Sequence, residues 1–347
     1  MKSRLFYIAI CAIVILSSCN KKEVLYVYNW SDFIDKEVLT QFENENDVKI
    51  KYTNYSSNEE LETSLVTGGK YDVIFPSDYM VTKLRKANIL DTIYISKLAN
   101  FKNIEKVFQN VLYDPIENGT KFSIPYQYWT TGIAINTEKV VTNIDSTYNL
   151  LFDKSYGKGV TLLNEVRYTI GMVLIHLGYS PNETDPEILQ KVQDLMVAQK
   201  KDVVIGFKTD IIDMLIIGEP TFSYGYSGDI FQAIDKNEKI KFMIPKEGTI
   251  IGVDNICIPS ASSNKELAYK FIDFMLRPEI AAKNSNATFY ATPNKKACTE
   301  HLVNNDLLLN KTIFLEPKFI EEKCYFLIDI GKEINTYNRI FEYVKNN

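Results

Sequence analysis

The sequence predicts an α/β protein of two lobes, and three features carry that expectation. From residue 24 onward, short apolar runs rich in β-branched and aromatic residues alternate with longer segments of helical period. The rhythm restarts after Pro125. No stretch is rich enough in Pro, Gly or Ser to be a free tether, so the chain is expected to cross between the lobes more than once. With 347 residues, 46% of them hydrophobic and 24% charged, there is length for two domains and apolar mass for a large core.

The elements follow in order. Residues 24–28, a run of Val, Leu and Tyr, read as a strand, and 36–44, with Val38, Leu39 and Phe42 at helical spacing, as a helix. A strand over 48–52, a helix over 59–66, a strand over 71–75 and a helix over 81–87 repeat the pattern. Strand, helix and strand in this rhythm predict a parallel sheet covered on both faces. After Pro125, strands are expected at 132–136, 160–163, 221–226, 240–244 and 250–258, and helices at 170–177, 187–198 and 210–217. Apolar residues at helical spacing over 265–276 predict a further helix that stops before Pro278.

The first residues form a separate unit. Lys2 and Arg4 precede an apolar run over 5–16, too short to span a bilayer but right for a secretory signal. It closes with Leu16-Ser17-Ser18-Cys19, which resembles the bacterial lipobox. Residues 1–18 are thus expected to be a lipoprotein signal peptide and Cys19 the lipidated residue. Anchoring would need no spanning helix, since each buried acyl methylene contributes about 0.8 kcal/mol. Of the other cysteines, Cys11 leaves with the leader. Cys257, Cys298 and Cys324 match neither a zinc site nor a disulfide framework and read as small buried hydrophobes, of which at most one pair could bridge.

Composition narrows the chemistry. The formal charge is −5 and falls to −7 once Lys2 and Arg4 leave, which disfavours nucleic acid and suits a cationic ligand. With 2 His in the chain, a histidine base or an imidazole metal site is poorly supplied. His176 sits in an apolar helix and His301 in a polar stretch. Neither a Gly-x-Ser-x-Gly elbow, a His-Glu-x-x-His pair nor a phosphate-binding glycine loop is present. The chain is therefore read as a non-enzyme without cofactor or metal.

Four acidic and aromatic motifs fall where strands are expected to end, the place at which open α/β sheets bind ligands. They are Tyr28-Asn29-Trp30-Ser31-Asp32-Phe33, Phe75-Pro76-Ser77-Asp78-Tyr79, Tyr224-Gly225-Tyr226-Ser227-Gly228-Asp229 and Ile251-Gly252-Val253-Asp254. An ammonium buried from water must regain ionised acceptors and π faces. Charge-assisted hydrogen bonds contribute about 1.5 to 3 kcal/mol each and a ring about 0.5 to 2 more.

With these motifs in this order, the chain resembles the bacterial polyamine-binding proteins, receptors of spermidine and putrescine ABC importers. The similarity extends through Ser123-Ile124-Pro125-Tyr126, Leu177-Gly178-Tyr179-Ser180, Ile244-Pro245-Lys246-Glu247-Gly248, Leu276-Arg277-Pro278-Glu279 and Phe289-Tyr290-Ala291. The resemblance implies a type II periplasmic-binding-protein fold, two α/β lobes with mixed sheets joined by a multi-strand hinge. Lobe I would hold residues 19–128 and 254–297, lobe II residues 129–253 and 298–347, with the ligand in the cleft. It implies ligand contacts by Trp30, Ser31, Asp32 and Phe33, by Ser77 and Tyr79, by Tyr226 and Asp229, and by Asp254 and Tyr290. It further implies a monomer at the extracytoplasmic face of the membrane, working with a permease and an ATPase.

Three departures bear on the ligand. Tyr168 stands where the family has a glutamate, with Glu165 one turn earlier as its substitute. Gly252 replaces a large aromatic residue, leaving one wall open or filled by another side chain. Leu327 falls near a glutamine of spermidine-type members. The aspartate pattern points to putrescine and the space at Gly252 to spermidine. The alternatives are a receptor for another cation, a thiamine-like amine or ferric iron, and a secreted lipoprotein hydrolase.

Overall fold

A computed structural model describes residues 22–140, 143–157, 159–202, 204–208 and 210–346. The signal peptide and Cys19 lie outside the described residues.

The first lobe is built on a parallel sheet of β1 (Val24–Trp30), β2 (Lys49–Tyr55) and β3 (Val73–Ile74), in the order β2-β1-β3. Its crossover helices, Lys36–Asn46 and Asn58–Val66, start where short polar side chains cap them. The Asp35 carboxylate accepts from the Glu37 amide at 2.8 Å and the Ser57 hydroxyl from the Glu60 amide at 3.1 Å. The third strand is shorter than the expected 71–75, because the chain beyond Ile74 pairs with a different partner. Ile74 and Cys257 exchange backbone hydrogen bonds at 3.0 and 2.9 Å. β4 (Ile93–Tyr94) and β5 (Thr120–Lys121) form a small separate ribbon.

The second sheet has seven strands. β6 (Ile124–Asn136) lies at its centre, antiparallel to β9 (Phe222–Tyr226), β10 (Ile240–Met243) and β11 (Thr249–Ile256). β7 (Val160–Leu163) runs parallel to β9 and to β8 (Val204–Lys208), and β12 (Cys324–Phe326) parallel to β11. The parallel arrangement expected from the first strand–helix–strand repeats holds in the first sheet, and the second is mixed, as the resemblance implies. Here the long central strand is traversed in the opposite sense, which makes the sheet mixed. Pro125, expected to interrupt the pattern, lies inside β6. It faces Asn255 at the point where the β6–β11 register shifts, a position that tolerates a residue without an N–H. All 13 residues of β6 are buried, so no alternation marked its first eight residues as strand.

The crossing points expected at 128/129 and 253/254 lie side by side, since Tyr128 pairs with Val253 and Gln127 with Asp254. The one expected at 297/298 falls inside the helix Lys295–Thr299. The helices Val166–His176 and Pro186–Asp202 cover the second sheet. Against them packs the amphipathic helix Ile334–Asn346 through Tyr337, Ile340, Phe341 and Val344, an element the sequence pattern did not announce. His176 is a packing residue, its ring stacked on Phe152 at 4.4 Å. Cys257, Cys298 and Cys324 are free thiols, Cys257 buried. Among the described residues no helix is long and apolar enough to cross a membrane.

Candidate ligand-binding site

Between the two sheets lies a cavity of about 340 Å³. The end of β1 supplies one wall. The Trp30 indole N–H donates to the Phe75 carbonyl at 2.8 Å, and the ring leans on Tyr55 at 4.6 Å. Past it the chain turns through Asp32, whose φ of 50° is a conformation that aspartate tolerates better than most residues. Trp30, Ser31, Asp32 and Phe33 all line the cavity, as does Ser77 at the mouth of the third strand. Tyr79 does not. It lies behind the wall, its hydroxyl accepting from Asn58 Nδ2 at 3.0 Å and donating to Glu59 at 3.4 Å. It sits in the first turn of the helix Asp78–Lys86, and its hydroxyl is joined to the cavity through Asn58.

The opposite wall carries Glu165, Tyr168, Tyr226 and Asp229. Tyr226 closes β9 and Asp229 sits in the first turn of the helix Ser227–Lys236. Tyr290 donates its hydroxyl to Asp229 at 2.9 Å. That contact requires the glycine at 228, because a Cβ there would stand 2.5 Å from Cζ of the Tyr290 ring. Burial pushes the Asp229 carboxyl up to about 6, the Tyr290 hydrogen bond opposes this, and the charges of Asp210 and Asp32 add to the rise.

Asp254 is not at a strand end, as the sequence suggested, but in the interior of β11, one residue before the register shift. It accepts from the Ser77 hydroxyl at 2.7 Å on one oxygen and from the Trp129 indole N–H at 2.6 Å on the other. Burial raises this carboxyl to about 6 against those two bonds. Behind it, burial and the neighbouring Asp254 hold Asp78 at about 8, with one oxygen lacking a partner among the described residues.

Glu165 and Tyr168 both reach the cavity, so the choice between them is resolved as both. Glu165 occupies the N-cap of the helix Val166–His176 without capping it, and its carboxylate has no hydrogen-bond partner among the described residues. Burial, helped by the charge of Glu59, lifts it to about 8. Leu327 is buried and not among the lining residues. The wall at Gly252 is filled by Trp129.

Sequence reasoning missed Trp129, Asp210, Gln232, Tyr55 and Asn58, all of which line the cavity. Asp210 begins the helix expected over 210–217; in the structure it precedes the N-cap residue Ile211 and accepts from the Ile212 amide at 3.2 Å. Trp129 and Tyr55 read as core. Among the described residues the lining holds five carboxylates, Asp32, Glu165, Asp210, Asp229 and Asp254, and no Lys, Arg or His. Trp129, Tyr168 and Tyr226 meet edge to face with centroids 4.6 to 5.4 Å apart, giving π surface beside the acids. Such a cavity can hold an elongated organic cation, its charges on carboxylates and its methylenes on rings.

Residues 37–310 match the family model of the bacterial extracellular solute-binding proteins. The spermidine/putrescine-binding periplasmic protein of Escherichia coli K12 is 30% identical over 323 residues, covering 92% of this chain and 91% of that protein. The putrescine-binding periplasmic protein SpuD of Pseudomonas aeruginosa is 32% identical over 326 residues, 89% and 88% of the two chains. The solved structure of the spermidine/putrescine ABC transporter substrate-binding protein PotD from Streptococcus pneumoniae superposes with a TM-score of 0.81 at 30% identity. The match covers 94% of this chain and 99% of that one.

Proposed function

This chain belongs to the bacterial extracellular solute-binding proteins, and on that premise we propose that it is the polyamine receptor of an ABC importer. It captures putrescine or spermidine outside the cytoplasm and delivers it to a permease driven by an ATPase, with no covalent chemistry of its own. The observation that carries this reading is the cavity wall itself, which among the described residues holds five carboxylates, seven aromatic side chains including Trp30, Trp129, Tyr168 and Tyr226, and no basic side chain. The names of the relatives support it. Ferric iron is the weaker alternative. It calls for phenolate oxygens, and burial raises both Tyr226 and Tyr290 well above the ordinary tyrosine value.

The lobes divide within β6 and β11, near 128/129 and 253/254, where the two strands lie side by side. A polyamine touching Trp30 and Asp32 on one side and Glu165 and Asp229 on the other stabilises the closed arrangement, because only there does it contact both. Calorimetry on protein lacking residues 1–18 is expected to give saturable heat with putrescine, spermidine or both at micromolar concentration. Absence of heat with either would refute the assignment.

The protein acts as a monomer held at the extracytoplasmic face of the membrane through lipid on Cys19, which stands at the end of the apolar leader. Labelled palmitate is expected on the wild-type chain and not on Cys19→Ser. Equal labelling of the two would exclude this anchor.

A further inference from the structure

We infer that Trp129 is a direct contact for the cationic ligand, an aromatic wall whose indole N–H also fixes the Asp254 carboxylate in its binding position. The inference rests on the polyamine reading above and names a further residue of the same site. Four observations converge on it. Trp129 lines the cavity, and it and Trp30 are the only 2 tryptophans of the chain, so both indoles of the sequence face one space. Trp129 and Gly252 are paired residues of β6 and β11. A Cβ at 252 would stand 2.6 Å from Cη2 and 2.8 Å from Cε2 of the indole, so glycine is what lets the ring lie across the neighbouring strand. From there the N–H reaches Asp254 Oδ2 at 2.6 Å while the ring meets Tyr226 and Tyr168 edge to face.

This geometry joins two functions that are otherwise supplied by separate residues. The ring offers its face to the methylenes and the positive ends of the ligand. The N–H holds one Asp254 oxygen and the Ser77 hydroxyl the other, and each carboxylate oxygen keeps acceptor capacity for an ammonium in the cavity that Asp254 lines. It also favours the ionised form of a carboxyl that burial pushes towards neutrality. The groups that face Asp254 from the other elements are Asp78 and the hydroxyls of Ser77, Tyr55, Tyr126, Tyr168 and Tyr290. The four tyrosines are raised well above 10 and stay neutral, so Asp78 is the one other acid among these neighbours.

The test compares wild type, Trp129→Phe and Gly252→Ala by calorimetry with putrescine and with spermidine at pH 6, 7 and 8. Trp129→Phe keeps an aromatic ring and removes the N–H. It is expected to lose about tenfold in affinity, the scale of one hydrogen bond to a charged group. Its affinity should also fall more steeply between pH 7 and 6 than that of wild type, a change that loss of packing alone does not produce. Gly252→Ala, which retains the indole but displaces it, should shift affinity in the same direction, and it decides the question if Trp129→Phe does not fold. Wild-type binding with both variants within twofold of it and with an unchanged pH profile would overturn the role of Trp129. A wild type that binds neither amine would instead overturn the polyamine reading and this inference with it.

Discussion

Replacing Asp254 with asparagine is expected to weaken polyamine binding by about 2 to 3 kcal/mol, roughly 30- to 150-fold, and at the same time to raise the melting temperature of the ligand-free protein. The loss follows from removing the charge of a carboxylate that lines the cavity and is already oriented by Ser77 and Trp129. The gain follows from the sign of its titration. Burial raises the folded-state carboxyl to about 6 from its ordinary 3.8, so the empty protein loses stability as pH rises from about 4 through 6. At neutral pH that cost is on the order of 3 kcal/mol. Asparagine avoids it at the loss of one bond, because the buried Ser77 hydroxyl proton no longer has a carboxylate oxygen to accept it. Its carbonyl can accept from Trp129 while its amide donates to Ser77, whose hydroxyl oxygen also accepts from Asn58 at 3.2 Å. Titration calorimetry and thermal melts at pH 7.5 measure both halves. Unchanged affinity would remove Asp254 from the site, and a lowered melting temperature would show that its carboxylate serves the fold rather than the ligand.

Binding is also expected to tighten steeply with pH and to release protons. Asp229 and Asp254 titrate near 6 in the empty protein and Glu165 near 8, all raised chiefly by burial. An ammonium beside each favours the ionised form, so ligation expels whatever protons these groups still carry. At pH 7 the two aspartates are mostly ionised already and Glu165 is mostly protonated. Close to one proton should therefore leave per ligand, and affinity should rise about tenfold for each pH unit between 6 and 7.5 if Glu165 is engaged. Glu165→Gln should abolish most of that release. Calorimetry in buffers of different ionisation enthalpy counts the protons directly. Proton uptake, or an affinity flat from pH 5.5 to 8, would contradict the assignment of these three carboxyls as the cation's partners. Because the same raised values destabilise the empty protein as pH increases, the thermal shift produced by ligand should grow over the same range.

Much of the site was legible before the fold was. Trp30, Ser31 and Asp32 follow a run of strand character, and Tyr226 and Asp229 do the same after Thr221 to Gly225. Singly each such acid reads as a helix cap and each ring as core, and it was their recurrence at four expected strand ends that made the motifs informative. Tyr79 belonged to an equally suggestive motif yet is not among the residues lining the cavity, which it meets through Asn58. It sits in the first turn of a helix, and sequence spacing alone does not reveal which residues of that turn meet the cleft. Asp210 was hidden by a second role, the local hydrogen bond it accepts from the Ile212 amide, and a side chain explained by local structure gives no sign of also lining a cavity. Gly252 announced a missing side chain without naming what fills the space.

The sequence by itself determined the alternation that builds two α/β lobes, the acidic and aromatic character of the cleft and hence the class of ligand. These depend on residue type and local period, both of which are local properties of the chain. Tertiary structure decided the direction of β6, the depth at which Asp254 lies in β11, and the delivery of Trp129 to its carboxylate from the neighbouring strand. The physical reason is that a strand buried on both faces carries no polar alternation to show which of its residues look inward at a ligand. Only the register between Trp129 and Gly252, fixed by hydrogen bonds between segments more than a hundred residues apart, brings the ring and the acid together.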